Sequence, residues 1–264
     1  MPSEKRARQR AGRQARREAV QRREKRRRQL RTAGLVVVVA IIVIGSFYLI
    51  TRKSPKTTRA KADSQAQLVN VWKQARCPAS PTARVNTMHF SSAPAMTIST
   101  STDYDATVKT DVGTFVIQMD PKVSPVAVNS FVFLAKQGFF NCVVFHRVIP
   151  GFVDQTGDPT ATGTGGPGYQ FTEAGPPNAS PQYPLGAVAM ANSDNPPSRT
   201  PHTNGSQWFV VTGNAGETLP PDYVIFGRVI GGMSVVQKIN KDGSTTGTPP
   251  KIYHRMLKVT VAQT

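Results

Sequence analysis

Phe145–Asp158 reads FHRVIPGFVDQTGD. Phe145, Val148 and Ile149 predict a strand, Pro150 and Gly151 break it, and Phe152 and Val153 resume an extended run. Alternate side chains of neighbouring strands share a face, so Arg147, Ile149 and, beyond the turn, Gln155 line one surface. The stretch has no metal-ligand spacing and no nucleophile paired with a base. An arginine beside apolar and aromatic residues suits a peptide carbonyl and an apolar ring. The same residues alone also describe a sheet edge with a surface arginine.

Upstream, Ala106-Thr-Val-Lys-Thr110 and Thr114-Phe-Val-Ile-Gln-Met119 flank Asp111-Val112-Gly113 and predict a hairpin. Ser124 and Pro125 offer a helix N-cap and a proline at the first helical position. The helix runs through Phe131 and Leu134 and ends at Gly138. Phe139–Phe145 is predicted to be a strand. Downstream, TATGTGGPGYQF (160–171) is an irregular loop. No Gly-Lys-Ser/Thr and no helix start follow it, so it is not a phosphate loop. LGAVAMAN (185–192), NGSQWFVV (204–211), VIFGRV (224–229) and LKVTV (257–261) each contain a short strand. Gly232–Asn240 forms a second helix, with Met233, Val236 and Ile239 as its core stripe. Many short strands, few helices and Gly/Pro-rich turns argue a mainly β, closed antiparallel structure.

The opening stretch, the Gly-Thr-Gly-Gly loop, MAN (190–192), NGSQWF (204–209) and VIFGRV follow in an order that resembles the cyclophilins, peptidyl-prolyl cis-trans isomerases. The resemblance covers about residues 104–264. It implies a closed eight-stranded antiparallel β-barrel capped by two α-helices. It implies that Arg147 is the donor acting on the X-Pro amide, with Gln155 orienting Arg147 or the substrate. Phe152, Val153, Phe209, Leu219 and Tyr223 would form or border a proline pocket. His146, Ala191, Asn192 and Gln207 would contact the peptide backbone. Three positions depart from the family pattern. Val153 stands where methionine is frequent, Tyr223 where histidine is common, and Thr218 where many members place a tryptophan that packs on the inhibitor cyclosporin. Trp208 replaces a more usual phenylalanine and is expected to point away from the groove. Ser193–Thr203 (SDNPPSRTPHT) is longer than the family's usual link and bulges beside the groove.

The chain has 264 residues and a formal net charge of +18. Residues 1–31 hold 14 Lys/Arg against Glu4, Glu18 and Glu24, so most of the basicity is a tail. Ala33–Ile50 follows as 18 residues without a charge. As a helix it would reach about 27 Å, near the thickness of a bilayer core. A core helix of that length would carry a polar face, so the reading is a single transmembrane helix. The basic region is long, the apolar run exceeds a typical signal-peptide core and no clear A-x-A site follows, so a retained signal-anchor fits better than a cleaved signal peptide. More basic residues precede the span than follow it (Arg52, Lys53, Lys56, Arg59, Lys61). The N-terminus is therefore expected in the cytoplasm, with the rest outside a cell membrane of bacterial type. The arm (1–32) suits anionic lipid headgroups. It has no interleaved aromatics, so no specific nucleic-acid binding is expected.

Residues 51–102 are read as an extracytoplasmic linker and pre-domain segment, flexible over Thr51–Gln65 and loosely wrapped or mobile over Ser80–Thr102. Residues 103–264 are the isomerase domain. An oxidising compartment permits a disulfide between Cys77 and Cys142, and two separate thiols are the alternative. His89, His146, His202 and His254 are scattered without ligand spacing, so neither a metal nor an organic cofactor is expected. The expectation is a membrane-anchored peptidyl-prolyl isomerase whose partners are proline-containing polypeptide clients that fold outside the membrane. The alternatives are a non-catalytic proline-peptide binding module and a scaffold at the membrane.

Overall fold

Alternation of apolar residues builds the sheet. In β1 (Tyr104–Thr110) Tyr104, Ala106, Val108 and Thr110 are buried, and in β2 (Gly113–Met119) Phe115, Ile117 and Met119. The two pair as the expected hairpin from Tyr104–Met119 to Thr110–Gly113. The computed structural model describes residues 55–174, 183–193 and 203–264, with only the backbone over 55–60. The basic arm and the apolar run 33–50 lie outside them. No helix among the described residues is long and apolar enough to cross a membrane.

Six further strands follow: β3 (Arg147–Ile149), β4 (Val153–Thr156), β5 (Ala187–Met190), β6 (Trp208–Val211), β7 (Ile225–Gly231) and β8 (Met256–Gln263). All pairings are antiparallel, in the order β3-β4-β6-β5-β7-β2-β1-β8. The sheet rolls into a half-barrel with β3 and β8 as its edge strands. The segments before those edges meet through the isolated bridge Val144–Arg255. Cys142 N donates to Met256 O, Met256 N to Val143 O, and Phe145 N to His254 O.

Four helices accompany the strands among the described residues: α1 (Pro55–Gln74), α2 (Pro125–Lys136), the single turn α3 (Asn214–Glu217) and α4 (Met233–Lys241). α2 packs against β7 and β8, and α4 against β2, β3 and β4. The interior is aromatic. Phe131 stacks on Phe140 at 4.9 Å, and Trp208 meets Phe131, Phe140 and Phe145 edge-on. Trp208 thus points inward, away from the outer face.

Four local expectations need correction. Ser124 precedes α2 but makes no capping bond, because its hydroxyl donates to Ile225 O at 2.6 Å. The Glu173 carboxylate takes the free donors instead, accepting from Val126 N at 2.9 Å and Ala127 N at 2.8 Å. A carboxylate suits the positive end of a helix. Phe139–Phe145 is not a strand. It is a set of turns, with Cys142 at a left-handed φ of 67°. The expected flexible spacer is helical from Pro55, and α1 ends on a docked surface. Trp72 is fully buried and its Nε1 donates to Asp111 Oδ2 at 2.5 Å. Gln65 Oε1 accepts from Tyr253 N at 2.8 Å. Ser80–Thr102 wraps without regular structure but is not loose: Ile98 joins the core, and Val85, Met88 and Phe90 pack against it. Residues 59–264 accordingly form one compact unit.

Cys77 and Cys142 are joined by a disulfide, with Cα atoms 5.3 Å apart. Next to it, Arg255 donates to Cys142 O and to Ser80 O, and its guanidinium stacks 4.6 Å over Trp72. His254 lies between Asp111 (3.1 Å) and Asp242 (3.0 Å). Burial alone would lower its pKa. The hydrogen bonds and charges of the two carboxylates outweigh burial and raise it.

Asp154 points from β4 into the interior and is fully buried. Its Oδ1 accepts from Asn240 Nδ2 at 2.7 Å. Burial pushes its pKa up to about 8, against the pull of Asn240 and His254. It is therefore protonated in the fold at neutral pH and ionised in the unfolded chain. Unfolding releases this proton between about pH 4 and pH 8, so stability falls as pH rises through that window. Asp154→Asn is expected to stabilise by about 1–3 kcal/mol at pH 7. In denaturant melts the gain should vanish below about pH 4, and a gain equal at all pH values would refute the assignment. Replacing both cysteines by serine should cost about 2–4 kcal/mol in the same melts.

Candidate functional site

The strand register places the site. Arg147 pairs with Gln155, Gln155 with Phe209, Phe209 with Ala189, and Ala189 with Ile225. These five residues form one row across β3, β4, β6, β5 and β7, and a row across paired strands lies on one face. The adjacent row, Val148–Asp154–Val210–Val188–Gly227, faces the interior.

The turn between β3 and β4 carries Phe152 out to the same face. Gly151 takes a φ of 75°, and Gly213 packs so closely that a Cβ there would lie 2.7 Å from Gly151 O. Asn240 on α4 holds this turn from behind. Its Oδ1 accepts from Gly151 N at 2.9 Å, and its Nδ2 reaches Ile149 O at 3.0 Å. The Arg147 guanidinium sits 5.7 Å from the Phe152 ring centre.

A second apolar cluster lies on this outer face. Val153, Phe209, Tyr183, Ala187, Ala189 and Val211 are buried in it, with Phe152, Ala191, Leu219 and Tyr223 packed partly exposed at its rim. Phe209 meets Tyr223 edge-on at 5.3 Å. The result is an apolar depression edged by aromatic rings beside a guanidinium. Thr218 ends α3, exposed, with its hydroxyl on Ala215 O.

A polar relay runs away from Arg147. Arg147 Nη1 donates to Gln155 Oε1 at 3.2 Å, and Gln155 Nε2 to Gln207 Oε1 at 3.0 Å. Gln207 Nε2 then bonds Gly163 O and Gly165 O, both at 2.9 Å, tying down the glycine-rich loop. Asp158 shapes that loop, accepting from the backbone N–H groups of Thr160, Thr162 and Gly163. Gln155 and Gln207 also line a cavity of about 650 Å³ between this loop and Ala191–Asn192.

Arg147, Phe152, Val153, Gln155, Ala191, Gln207, Phe209, Leu219 and Tyr223 therefore meet on one face. Asn192 belongs to the same rim, and its Nδ2 donates to Asp222 O at 2.8 Å. His146 does not join them. It is 2% exposed, on the opposite side of the strand from Arg147, so its ring offers a peptide no surface. Burial lowers its pKa to about 4, Arg147 adding to the effect and Asp158 opposing it, so the ring is neutral. Tyr183 is a support that sequence reasoning missed. Its hydroxyl accepts from Tyr223 N at 2.9 Å and lies 2.9 Å from Pro220 O, fixing the loop that carries Leu219 and Tyr223. No spacing pattern marks it. The insertion's residues 194–202 lie outside the described residues, and its ends are joined by Ser193 N donating to Thr203 Oγ1 at 2.9 Å. Among the described residues no three His, Cys, Asp or Glu side chains converge as metal ligands.

Comparison with known proteins bears on this site. The family model described as cyclophilin type peptidyl-prolyl cis-trans isomerase/CLD matches residues 106–261. A "Probable peptidyl-prolyl cis-trans isomerase B" of Mycobacterium leprae is 40% identical over 157 residues, which cover 54% of this chain and 50% of that one. The match thus spans about half the length of that relative. A peptidyl-prolyl cis-trans isomerase of Helicobacter pylori is 39% identical, covering 52% of this chain and 80% of its own. Among solved structures, a cyclophilin type isomerase of Cryptosporidium parvum superposes with a TM-score of 0.54 at 27% identity, covering 61% of this chain and 98% of its own. A second structure of that protein was determined in the presence of the dipeptide Ala-Pro. The sheet order, the outer-face row and the match over residues 106–261 agree: the chain belongs to the cyclophilin type peptidyl-prolyl cis-trans isomerase family.

Proposed function

We propose that the chain is a membrane-anchored prolyl isomerase acting on polypeptides outside the membrane. The observation that carries the catalytic part is the row that sets Arg147 beside the apolar depression of Phe152, Val153, Phe209, Leu219 and Tyr223. Rotation about an X-Pro bond faces a barrier of roughly 18–20 kcal/mol, because the amide C–N bond is partly double. No covalent bond need break. The depression holds the pyrrolidine ring. Arg147 donates to the prolyl nitrogen as it loses conjugation and gains a lone pair, or polarises the neighbouring carbonyl. Such a donor accelerates rotation only because it meets the twisted amide better than the planar one. A planar guanidinium held by Gln155 arrives already oriented. Ala191, Asn192 and Gln207 receive the peptide backbone. The Ala-Pro dipeptide used with the Cryptosporidium parvum relative supports a proline-containing client.

Anchoring rests on the sequence: the 18-residue apolar run with the larger basic cluster on its N-terminal side. The arm then meets anionic lipid on the cytoplasmic face. The Cys77–Cys142 disulfide supports an oxidising compartment for the domain. We further infer that the sheet closes as a barrel, which the backbone bonds between residues 142–145 and 254–256 support. A proline-peptide binding module without turnover is the second reading, since the same apolar depression would hold a proline ring whether or not Arg147 acts on it.

Exchange NMR on an X-Pro peptide with the full chain tests the enzyme. Arg147→Ala should keep the fold and lose roughly 10²–10³-fold in kcat/KM, the usual worth of one preorganised donor. Binding without turnover by the intact chain would leave the binding module. Cyclosporin should bind weakly, and Thr218→Trp should tighten it by about tenfold, or ~1.4 kcal/mol, in calorimetry. Equal affinity before and after that change would show that position 218 does not govern the inhibitor.

A further inference from the structure

One wall of the cavity beside Gln155 and Gln207 comes from outside the region shared with the family. The family match begins at residue 106, and His89 lines this cavity. His89 lies in the wrapped segment between Cys77 and Ile98, which is held along its length. The Cys77–Cys142 disulfide holds its start. Val85 N donates to Pro159 O at 3.0 Å, Asn86 Nδ2 to Phe139 O at 2.9 Å, and Phe90 N to Pro167 O at 2.8 Å. The Phe90 ring sits edge-on to Phe133 at 4.9 Å. Beyond it, Asn129 Nδ2 donates to Ala95 O at 3.0 Å, and Asn129 Oδ1 accepts from Thr97 N at 3.0 Å. The glycine-rich loop is fitted to this segment. Gly168 takes a φ of 96°, and a Cβ there would lie 2.8 Å from both the His89 ring and Phe90 O.

The imidazole is exposed, so it is not a satisfied core histidine. The rest of the described lining is amide, hydroxyl, glycine, proline and the Ala191 methyl, together with Tyr169, whose phenol is held neutral because burial raises its pKa. His89 is thus the one lining side chain among the described residues able to carry a positive charge. At about 650 Å³ the cavity is large enough for a side chain of a bound peptide. The relay from Arg147 through Gln155 and Gln207 joins it to the proline depression.

We infer that His89 is a specificity residue, which selects client segments carrying an acidic side chain close to the proline. The inference rests on the isomerase reading for the path of the client backbone. An acidic side chain entering the cavity meets the His89 ring and the amide and hydroxyl donors of the lining. A lysine there finds no carboxylate among the described lining residues.

The test uses the full chain. Peptides with one proline carry Glu, Gln or Lys at each of the three positions before and the three positions after it. Exchange NMR gives kcat/KM for each. At a position on one side of the proline the Glu peptide should exceed the Lys peptide by about 2–5-fold, the size of an exposed ion pair. That ratio should fall to near one in His89→Ala and persist in His89→Lys. A ratio unchanged in His89→Ala, or no position with a Glu preference, overturns the assignment while leaving the isomerase intact. If no peptide is turned over, chemical-shift titrations with the same set are decisive. A Glu preference in binding that needs His89 upholds the assignment and removes the isomerase, and its absence removes both.

Discussion

The pairing register of β3, β4 and β6 is the constraint on which the site depends. Side chains along a strand alternate, so a slip of one residue would turn Arg147 and Gln155 inward and bring Asp154 out. The register is secured from the interior. Asn240 holds the β3–β4 turn at Gly151 and Ile149 and reaches Asp154 and Thr212 across the core. A three-residue strand such as β3 has little pairing of its own. Its position comes from the turn and from the helix behind it.

Burial sorts the ionisable groups around this sheet. Asp154 is neutral under the strand and His146 is neutral beneath the glycine-rich loop, whereas two carboxylates raise the pKa of His254 against its burial. The groove receives a different treatment. Arg147 leans on the amide of Gln155 rather than on an acid, so its charge is oriented without being neutralised. A guanidinium tied to a carboxylate would have less to offer a developing lone pair.

Much of this could be read from the chain because it obeys short-range rules. The hairpin at Asp111–Gly113, the stripe of Val236 and Ile239, and Arg147 and Gln155 on one face follow from periods of two or 3.6, whereas Phe209 is marked only by the family resemblance. The failures occur where a distant partner decides. Ser124 is a good cap by type, but Ile225 O claims its hydroxyl and Glu173 takes its place. Phe139–Phe145 is apolar enough for a strand, yet the disulfide and the left-handed Cys142 fold it into turns. The spacer before Leu68 is polar because one side of α1 faces solvent, and its buried anchor, Trp72, needs Asp111 to be understood. Tyr183 carries no periodic mark, since its role is to hold the backbone of Pro220 and Tyr223 in a loop.

The disulfide also defines a path for mechanical load. Residues 78–141, which include the β1–β2 hairpin and α2, form a closed covalent loop. Tension arriving along the chain from its N-terminal side enters at Cys77, crosses to Cys142 and continues into β3. The loop cannot be paid out as slack. The strand that bears Arg147 begins five residues beyond that junction, so the same bridge that shields the hairpin and α2 from a pull delivers it beside that strand. Gln65 and Trp72 meet the load before the bridge does, and the bonds between residues 142–145 and 254–256 take what it passes on, as a short zipper at the seam of the sheet.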